Sequence, residues 1–332
     1  MSTPAGRDPD RRTRTTRRGL MAAAALGPLA AGAAGGTAAA AAAPGTAGPV
    51  RPVRPVPTTM DDWREVAEQL GGAGGMRRGL VYAVSFLRDD LDVRTEGVVL
   101  QPEVVGMHNS FVRYADGRTL LMGDLAVTED ELQDVSRALH DHGIAQTAIH
   151  KHVLAQEPPM WWCHVHAHGR DPGALARGLR AAVDAAGAAP GRARPRPAGG
   201  PDLDTAGIDA ALGVRGHPNN GIYQCLFGRR ESIVDDGMVL PPGLGSMTAL
   251  NFQPLGGGRA ALIGDFAMVA GEVPRVLRRL TRSGIDLVSL HSHSLAEDPR
   301  LFFVHNWAVG DAVAIARALR PALDLTNTGP LD

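Results

Sequence analysis

Five of the chain's twelve histidines fall in one stretch, "AIHKHVLAQEPPMWWCHVHAHG", residues 148–169. Imidazole nitrogens suit zinc and copper, so histidines this close together are candidate metal ligands. The alternative is a stripe of solvated surface histidines that bind nothing. The spacing of the histidines alone does not decide between the two.

An internal repeat supports the metal interpretation. The segment that starts "GRTLLMGDLAV" at Gly117 aligns without a gap with "GRAALIGDFAM" at Gly258. In this alignment His150, His152 and His164 fall on His291, His293 and His305, while Trp307 replaces His166. A trio that persists while its neighbours change indicates a shared function. Three imidazoles with an open position are typical of catalytic or exchangeable metal sites, and four ligands of closed sites.

The elements around the histidines can be read from periodicity. Each copy gives a short apolar strand, a helix, two alternating strands and a closing helix, preceded by two or three more strands. Thr128 and Glu131 have capping-box spacing, and Asp171 is a predicted N-cap. The predicted fold is α+β: two homologous repeats, each an antiparallel sheet with helices packed on one face.

Repeat unit 1 is predicted over residues 60–187 and repeat unit 2 over 201–328. An Arg/Pro/Gly linker at 188–200 joins them, and a Pro-rich linker at 48–59 precedes them.

The predicted hairpins would place the histidines on one face. A five-residue loop, 156–160, pairs His152 with His164 and His150 with His166, because side chains alternate along a strand. We therefore expect one metal site in each hairpin, with zinc or copper as the ion. The predicted ligands are His150, His152, His164 and His166 in the first unit, and His291, His293 and His305 in the second.

Two acidic residues are candidates for catalysis. Glu157 and Asp298 occupy matching positions, each followed by proline. Either is a potential general base in a metal-dependent hydrolase, or the acid-Pro pair only shapes the turn. Asp124 and Asp265 each follow a matched glycine and are interpreted as turn formers.

Composition excludes several function classes. The net charge of −1 and 4% aromatic content leave no basic surface or stacking platform for nucleic acid. Cys163 and Cys225 are the only cysteines, which excludes a thiolate zinc cluster but allows one disulfide. Three classes remain open: a metal-binding protein, a metal-dependent hydrolase, and a structural or interaction protein of the cell envelope without metal. The partner is an unknown small molecule or an envelope component.

The N-terminal residues 1–47 are predicted to be a twin-arginine signal peptide. Arg17 and Arg18 precede an Ala-rich segment with many small-residue cleavage positions. Because this segment is weakly apolar and contains Pro28, no stable membrane anchor is expected. The predicted location is secreted or extracytoplasmic.

Two family resemblances follow from these motifs. "AIHKHVLAQEPP" resembles the first metal motif of cupins, but a helix precedes it in both copies, whereas cupins are all-β barrels, and the glycine expected after the glutamate is missing. The second resemblance is to the LppY/LpqO family of exported bacterial proteins, which have paired domains of unknown function. It extends through both copies and is carried by the motifs "GD", "G-I", "H-V-H-x-H-G" and "LARGLRAAVD". That resemblance implies export and brings no reaction, substrate or cofactor.

The signal prediction can be tested by changing Arg17 and Arg18 together to lysine. We expect precursor to accumulate in the cytoplasm, because the twin-arginine route requires the arginine pair. Fractionation and immunoblotting measure the precursor, and a variant with Arg12 changed to lysine is the control. Unchanged secretion of the double variant would assign the signal to the general pathway.

Overall fold

The computed structural model describes residues 51–72, 74–188 and 201–331. The predicted signal peptide and nearly all of the 188–200 linker lie outside these residues. A 3-10 helix, Met60–Trp63, precedes the first repeat. The first repeat contains α1 (Arg64–Leu70), β1 (Gly75–Arg77), β2 (Val81–Phe86), β3 (Arg94–Thr95), β4 (Val98–Val99), β5 (Met107–Arg113), β6 (Thr119–Thr128), α2 (Leu132–Asp141), β7 (Ala145–His150), β8 (Met160–Gly169) and α3 (Pro172–Ala185).

The second repeat has the same order of elements with one addition, a C-terminal strand. It contains α4 (Thr205–Leu212), β9 (His217–Asn219), β10 (Ile222–Arg229), β11 (Val234–Asp235), β12 (Met238–Val239), β13 (Met247–Gly256), β14 (Arg259–Val269), α5 (Val273–Arg282), β15 (Asp286–His291), β16 (Leu301–Asp311), α6 (Ala312–Leu323) and β17 (Thr328–Pro330).

Each repeat builds one antiparallel sheet, as predicted. The first sheet has the strand order β1-β2-β5-β6-β8-β7, and the second has β15-β16-β14-β13-β10-β17 with β9 beside β10. The short pairs β3–β4 and β11–β12 form separate hairpins. Asp171 accepts a hydrogen bond from the Ala174 N–H, which confirms the N-cap of α3. The predicted α+β class with paired repeats is confirmed.

Helices cover one face of each sheet. On the first sheet, Phe111, Leu121 and Val165 share a core with Val135 of α2 and Leu179 of α3. The second sheet repeats the arrangement with its own helices. Its core joins the side chains of Leu250, Leu262, Phe266, Leu280 and Leu319. The apolar helix stripes therefore have a partner sheet in both repeats, as their 3.6-residue period requires.

The uncovered faces of the two sheets pack against each other. Val112, Leu120 and Met122 of the first sheet form one buried cluster with Leu301 and Phe303 of the second. The layers therefore run helix, sheet, sheet, helix, and residues 49–332 form one compact unit. A histidine on this inner face of a sheet must face the other repeat.

The Pro-rich segment before the first repeat also joins the halves. The Val53 N–H donates to the Gly237 carbonyl of the second repeat, and the Val56 N–H donates to the Arg113 carbonyl of the first. Among the described residues, no helix is long and apolar enough to cross a membrane. Cys163 and Cys225 are both free and buried, so they form no disulfide, and burial raises the pKa of each thiol to about 12.

A buried arginine supports each repeat at the matching position. The Arg88 guanidinium donates to both carboxylate oxygens of Glu131, to both of Asp90, and to the Ala126 carbonyl. Its side chain is fully buried. In the second repeat Arg229 makes the same set of bonds to Glu272, Glu231 and the Ala267 carbonyl. Bidentate pairs of this kind fix the start of α2 and α5 on their sheets.

We expect Arg88→Met to destabilise the protein by about 3 kcal/mol, because it leaves two carboxylates and a carbonyl without their buried partner. Chemical unfolding measures the loss. Arg64→Met is the matched control, since Arg64 is 70% exposed in its pair with Asp61 and should cost less than about 1 kcal/mol. Equal losses in the two variants would contradict the structural role of Arg88.

Candidate metal centre

Strand alternation places the histidines on the inner face of each sheet. On β8, His164 and His166 share a face with Trp162, and His150 of β7 lies opposite Trp162. His150 and His164 therefore point to the same side of the sheet, as predicted. That side is the one that packs against the second repeat.

The predicted register is wrong by four residues, because His164 lies opposite Ala148 and not opposite His152. β7 ends at His150, and the connection to β8 runs over nine residues, 151–159, rather than five. Ala148 lies opposite His164, and Ala145 lies opposite His166 after a bulge. His152 is therefore in the loop, not paired with His164. The loop extends because Glu157 pairs through its backbone with Arg94 of β3.

The two histidine trios form one centre, not two separate hairpin sites. Each histidine ring of one repeat contacts a ring of the other: His150 and His291 have centroids 3.7 Å apart, His152 and His305 3.9 Å, and His164 and His293 4.1 Å. Within the first repeat, His150 and His164 are further apart, at 4.9 Å. We call these six residues the inter-repeat centre.

Hydrogen bonds join the two repeats beside the inter-repeat centre. The Thr147 hydroxyl donates to the His293 carbonyl at 2.6 Å, and the Ser289 hydroxyl donates to the Lys151 carbonyl at 2.6 Å. β7 and β15 are the edge strands of their sheets, and these bonds join the two edges. The centre is therefore held by both repeats at once.

Hydrogen bonds to carbonyls fix the tautomer of two of the rings, whereas neither nitrogen of His291 has a partner among the described residues. His305 Nδ1 lies 3.2 Å from the Gly264 carbonyl, and His164 bonds the carbonyl of the matching Gly123. A carbonyl only accepts, so Nδ1 carries the proton and Nε2 has the lone pair. Within the described part of the chain, no Nε2 of the six histidines has a hydrogen-bond partner, although all six atoms are buried.

Burial keeps the six imidazoles neutral. Desolvation is the main cause that lowers the pKa of His150, His152, His164, His291 and His305, and the neighbouring histidines lower it further for most of them. The pKa of His293 is lowered to about 3 by burial. Neutral imidazole is the form that ligates a metal ion.

Two aspartates, interpreted from sequence as turn formers, lie in the middle of strands at this centre. Asp124 of β6 lies opposite His164 of β8, and Asp265 of β14 lies opposite His305 of β16. Burial raises the pKa of both carboxyls. The glycine before each is required by space: a Cβ at Gly123 would lie 2.4 Å from the His108 carbonyl oxygen. Matched "GD" pairs inside apolar strands were the signal that sequence reasoning missed.

Several groups of donor atoms could hold an ion, each group lying within 4.8 Å. The donors of a tetrahedral zinc site lie about 3.3 Å apart, so the side chains of each group would move closer together to bind an ion. Groups of possible ligands at the centre are His150, His164 and His291; His150, His152 and His305; and Asp265, His291 and His293.

The remaining predicted residues lie elsewhere. His166 Nε2 lies 2.6 Å from Asp235 Oδ2 of the second repeat, and these groups at the centre do not include it. Glu157 and Asp298 are exposed, and neither belongs to any group of possible ligands among the described residues. Their backbones pair with Arg94 and Val234, which fits a turn-shaping role. A catalytic role for them stays a prediction.

Comparisons with solved structures return likenesses to two trimeric shell proteins of bacterial microcompartments. The double-ringed shell protein of the RMM microcompartment is 11% identical with a TM-score of 0.18, and the alignment covers 74% of this chain and 93% of that one. PduB is 11% identical with a TM-score of 0.16, covering 74% and 86%. TM-scores this low do not indicate a shared fold or function. No curated protein matches the chain.

A family model matches the chain twice, over residues 64–185 and 206–325. These two matches coincide with the two sheets and their helices and together span most of the chain. The duplication seen in the sequence is therefore a duplication of one family domain. The chain belongs to the family described as Domain of Unknown Function (DUF1259).

Proposed function

We propose that this protein binds a transition metal ion, zinc or copper, at the inter-repeat centre. The observation that carries the proposal is the set of six buried Nε2 atoms without hydrogen-bond partners. Leaving a buried polar atom unpaired costs about 1–3 kcal/mol, so six together call for a ligand that accepts their lone pairs. A cation coordinated by imidazole is such a ligand.

The centre suits ions shared between the repeats. One group combines His150 at the end of β7 and His152 of the following loop with His305 of the second repeat's sheet. The repeat symmetry relates it to His291 and His293 with His164, whose rings are also in contact. Each of these two groups offers three imidazoles, a ligand set that fits zinc and leaves one coordination position open. The centre therefore has room for one ion or two.

The buried environment argues against the histidines as a solvated stripe. His150 and His305 are each 5% exposed and His164 is 8% exposed. The Nδ1 bonds to the Gly123 and Gly264 carbonyls orient two of the rings in the way that outer hydrogen bonds orient metal ligands. These features favour a metal-binding protein over an envelope protein that uses the histidines only as surface.

We further propose that the protein acts outside the cytoplasm and corresponds to the LppY/LpqO group. The Arg17-Arg18 pair, the Ala-rich segment and the motifs described above support this. A protein that leaves the cytoplasm folded can carry its metal with it.

A metal-dependent hydrolase is the second candidate, favoured by carboxylates beside the centre. Asp265 Oδ2 lies 3.5 Å from His293 Nε2, and Asp265 belongs to a group of possible ligands with His291 and His293. A bound metal would supply electrophilic activation there. Asp265 or Asp124 would hold the proton, with Glu157 and Asp298 as the more distant alternatives from sequence.

The metal proposal is tested by elemental analysis of protein purified without an affinity tag. We expect about one or two equivalents of zinc or copper at the inter-repeat centre of the unaltered protein. His305→Ala should reduce the metal that His150 and His152 hold, because the site spans the repeats. His140→Ala, an exposed residue at the end of α2, is the control and should retain the metal.

Two outcomes would contradict the proposal. One is metal-free protein that takes up no zinc or copper on titration. The other is a His305→Ala variant that is folded by circular dichroism and retains metal at the level of the control, since the ligands would then lie elsewhere.

The two function classes diverge in carboxylate variants. In a hydrolase that uses Asp265 as its base, Asp265→Asn should retain metal in the groups that contain His150, neither of which includes Asp265, but lower turnover of model ester or phosphoester substrates by about 10²–10⁴-fold, as loss of an acid-base group does. Glu157→Gln and Asp298→Asn test the positions predicted from sequence. A binding protein shows no turnover in any form, and loss of activity only in Glu157→Gln or Asp298→Asn would reassign the base.

A further inference from the structure

Outside the inter-repeat centre, four donor residues meet at a second junction between the repeats. His166 and His168 lie on one face of β8, and Asp235 and Asp236 lie at the end of β11 and in the turn after it. His166 Nε2 is 2.6 Å from Asp235 Oδ2, and His168 Nδ1 is 3.9 Å from Asp236 Oδ2. We call these four residues the corner cluster.

The inner pair, His166 and Asp235, is buried and in close contact. His166 is 8% exposed and Asp235 is 1% exposed. His166 Nε2 lies 2.6 Å from Asp235 Oδ2, and beyond this contact it has no hydrogen-bond partner within the described chain. The same carboxylate oxygen of Asp235 also accepts a long bond of 3.5 Å from the Ser294 hydroxyl. The donors of a tetrahedral zinc site lie about 3.3 Å apart, so an ion that used both atoms would draw them slightly apart.

The outer pair gives the cluster access to solvent. The side chains of His168 and Asp236 are 38% and 42% exposed. Asp236 and Gly237 both have positive φ, 47° and 74°, as the two-residue turn between β11 and β12 requires. This turn fixes the Asp236 carboxylate above His168. An ion can therefore enter from outside and complete its coordination with water.

The matching corner in the other half lacks the donors. Trp307 and Val309 stand in place of His166 and His168, and Thr95 and Glu96 stand in place of the two aspartates. Glu96 accepts a hydrogen bond of 2.9 Å from the Trp307 indole N–H, so its carboxylate is already satisfied. The potential metal ligands are thus present at one of the two symmetry-related corners, whereas at the other a tryptophan–glutamate hydrogen bond takes their place.

We propose that the corner cluster is a second metal site, taking a divalent transition metal such as Zn²⁺. Two imidazoles and two carboxylates are ligands that zinc accepts in a four-coordinate site, and His166, His168 and Asp236 already lie within 4.8 Å of one another. Because His166 and His168 come from the first repeat and the aspartates from the second, the ion links the two halves. This assignment is independent of the inter-repeat centre.

The test is Zn²⁺ titration of the full chain in a His150→Ala, His291→Ala background, which removes residues shared by the groups at the inter-repeat centre. We expect one equivalent to remain bound. Adding His168→Ala or Asp236→Asn should weaken that equivalent by at least about tenfold, the smaller effect known for altered metal surroundings. Both residues are partly exposed, so the variants should fold, which circular dichroism checks. His140→Ala in the same background is the control.

Loss of all zinc in the His150→Ala, His291→Ala background would overturn the corner site while leaving the inter-repeat centre intact. An equivalent that survives both His168→Ala and Asp236→Asn with unchanged affinity would also overturn it. Zinc that stays at the full level in the His150→Ala, His291→Ala background would instead count against the inter-repeat centre, so the two assignments fail separately.

Discussion

The face-to-face packing of the two sheets is the constraint on which the rest of the structure depends. Each sheet has one face covered by its own helices, so its other face must be buried against the partner repeat. Because side chains alternate along β8 and β16, this requirement also decides where His164 and His305 point. A histidine pattern that looks local in the sequence becomes a shared feature of both halves.

Burial of this many imidazoles has an energetic consequence. Six unpaired ring nitrogens at about 1–3 kcal/mol each would oppose folding by an amount comparable with the whole stability of a typical domain. Apolar contacts around Phe303 and Met122 lie in the same layer and favour the packing. A cation between the sheets would turn the unfavourable term into a favourable one, because binding to the folded state alone stabilises it. Metal binding would then stabilise the packing of the two repeats against each other, and that packing would in turn favour metal binding.

The elements of the fold could be predicted from sequence because they depend on local signals. The apolar period of α2, the Asp171 cap and the alternation along β8 all act within a few residues, and each is present in the structure. The register of the first hairpin could not be predicted. It depends on Glu157 pairing with Arg94, more than sixty residues earlier, and no local pattern specifies that contact.

The centre shows the same division between local and distant information. The sequence identified all six of its histidines, because the repeat aligned them, but it divided them between two hairpins. Pairing of His152 with His305 depends on how two sheets dock, and a hydrophobic pattern indicates only that a face is buried, not what it meets. Asp124 was misread for a related reason: a "GD" pair usually indicates a turn, whereas here Gly123 permits close approach of β5.

Duplication followed by divergence explains why the protein has near-symmetry and not full symmetry. The trios and the buried arginines Arg88 and Arg229 are retained in both halves, since each repeat needs the trio for the shared layer and the arginine for the start of its helix α2 or α5. The corners are free to differ, because each contacts the other repeat at only a few side chains. One corner closes with Trp307 on Glu96, and the other retains His166 facing Asp235. A fused pair of repeats can therefore specialise one junction while the symmetric centre stays intact, which two identical subunits could not do.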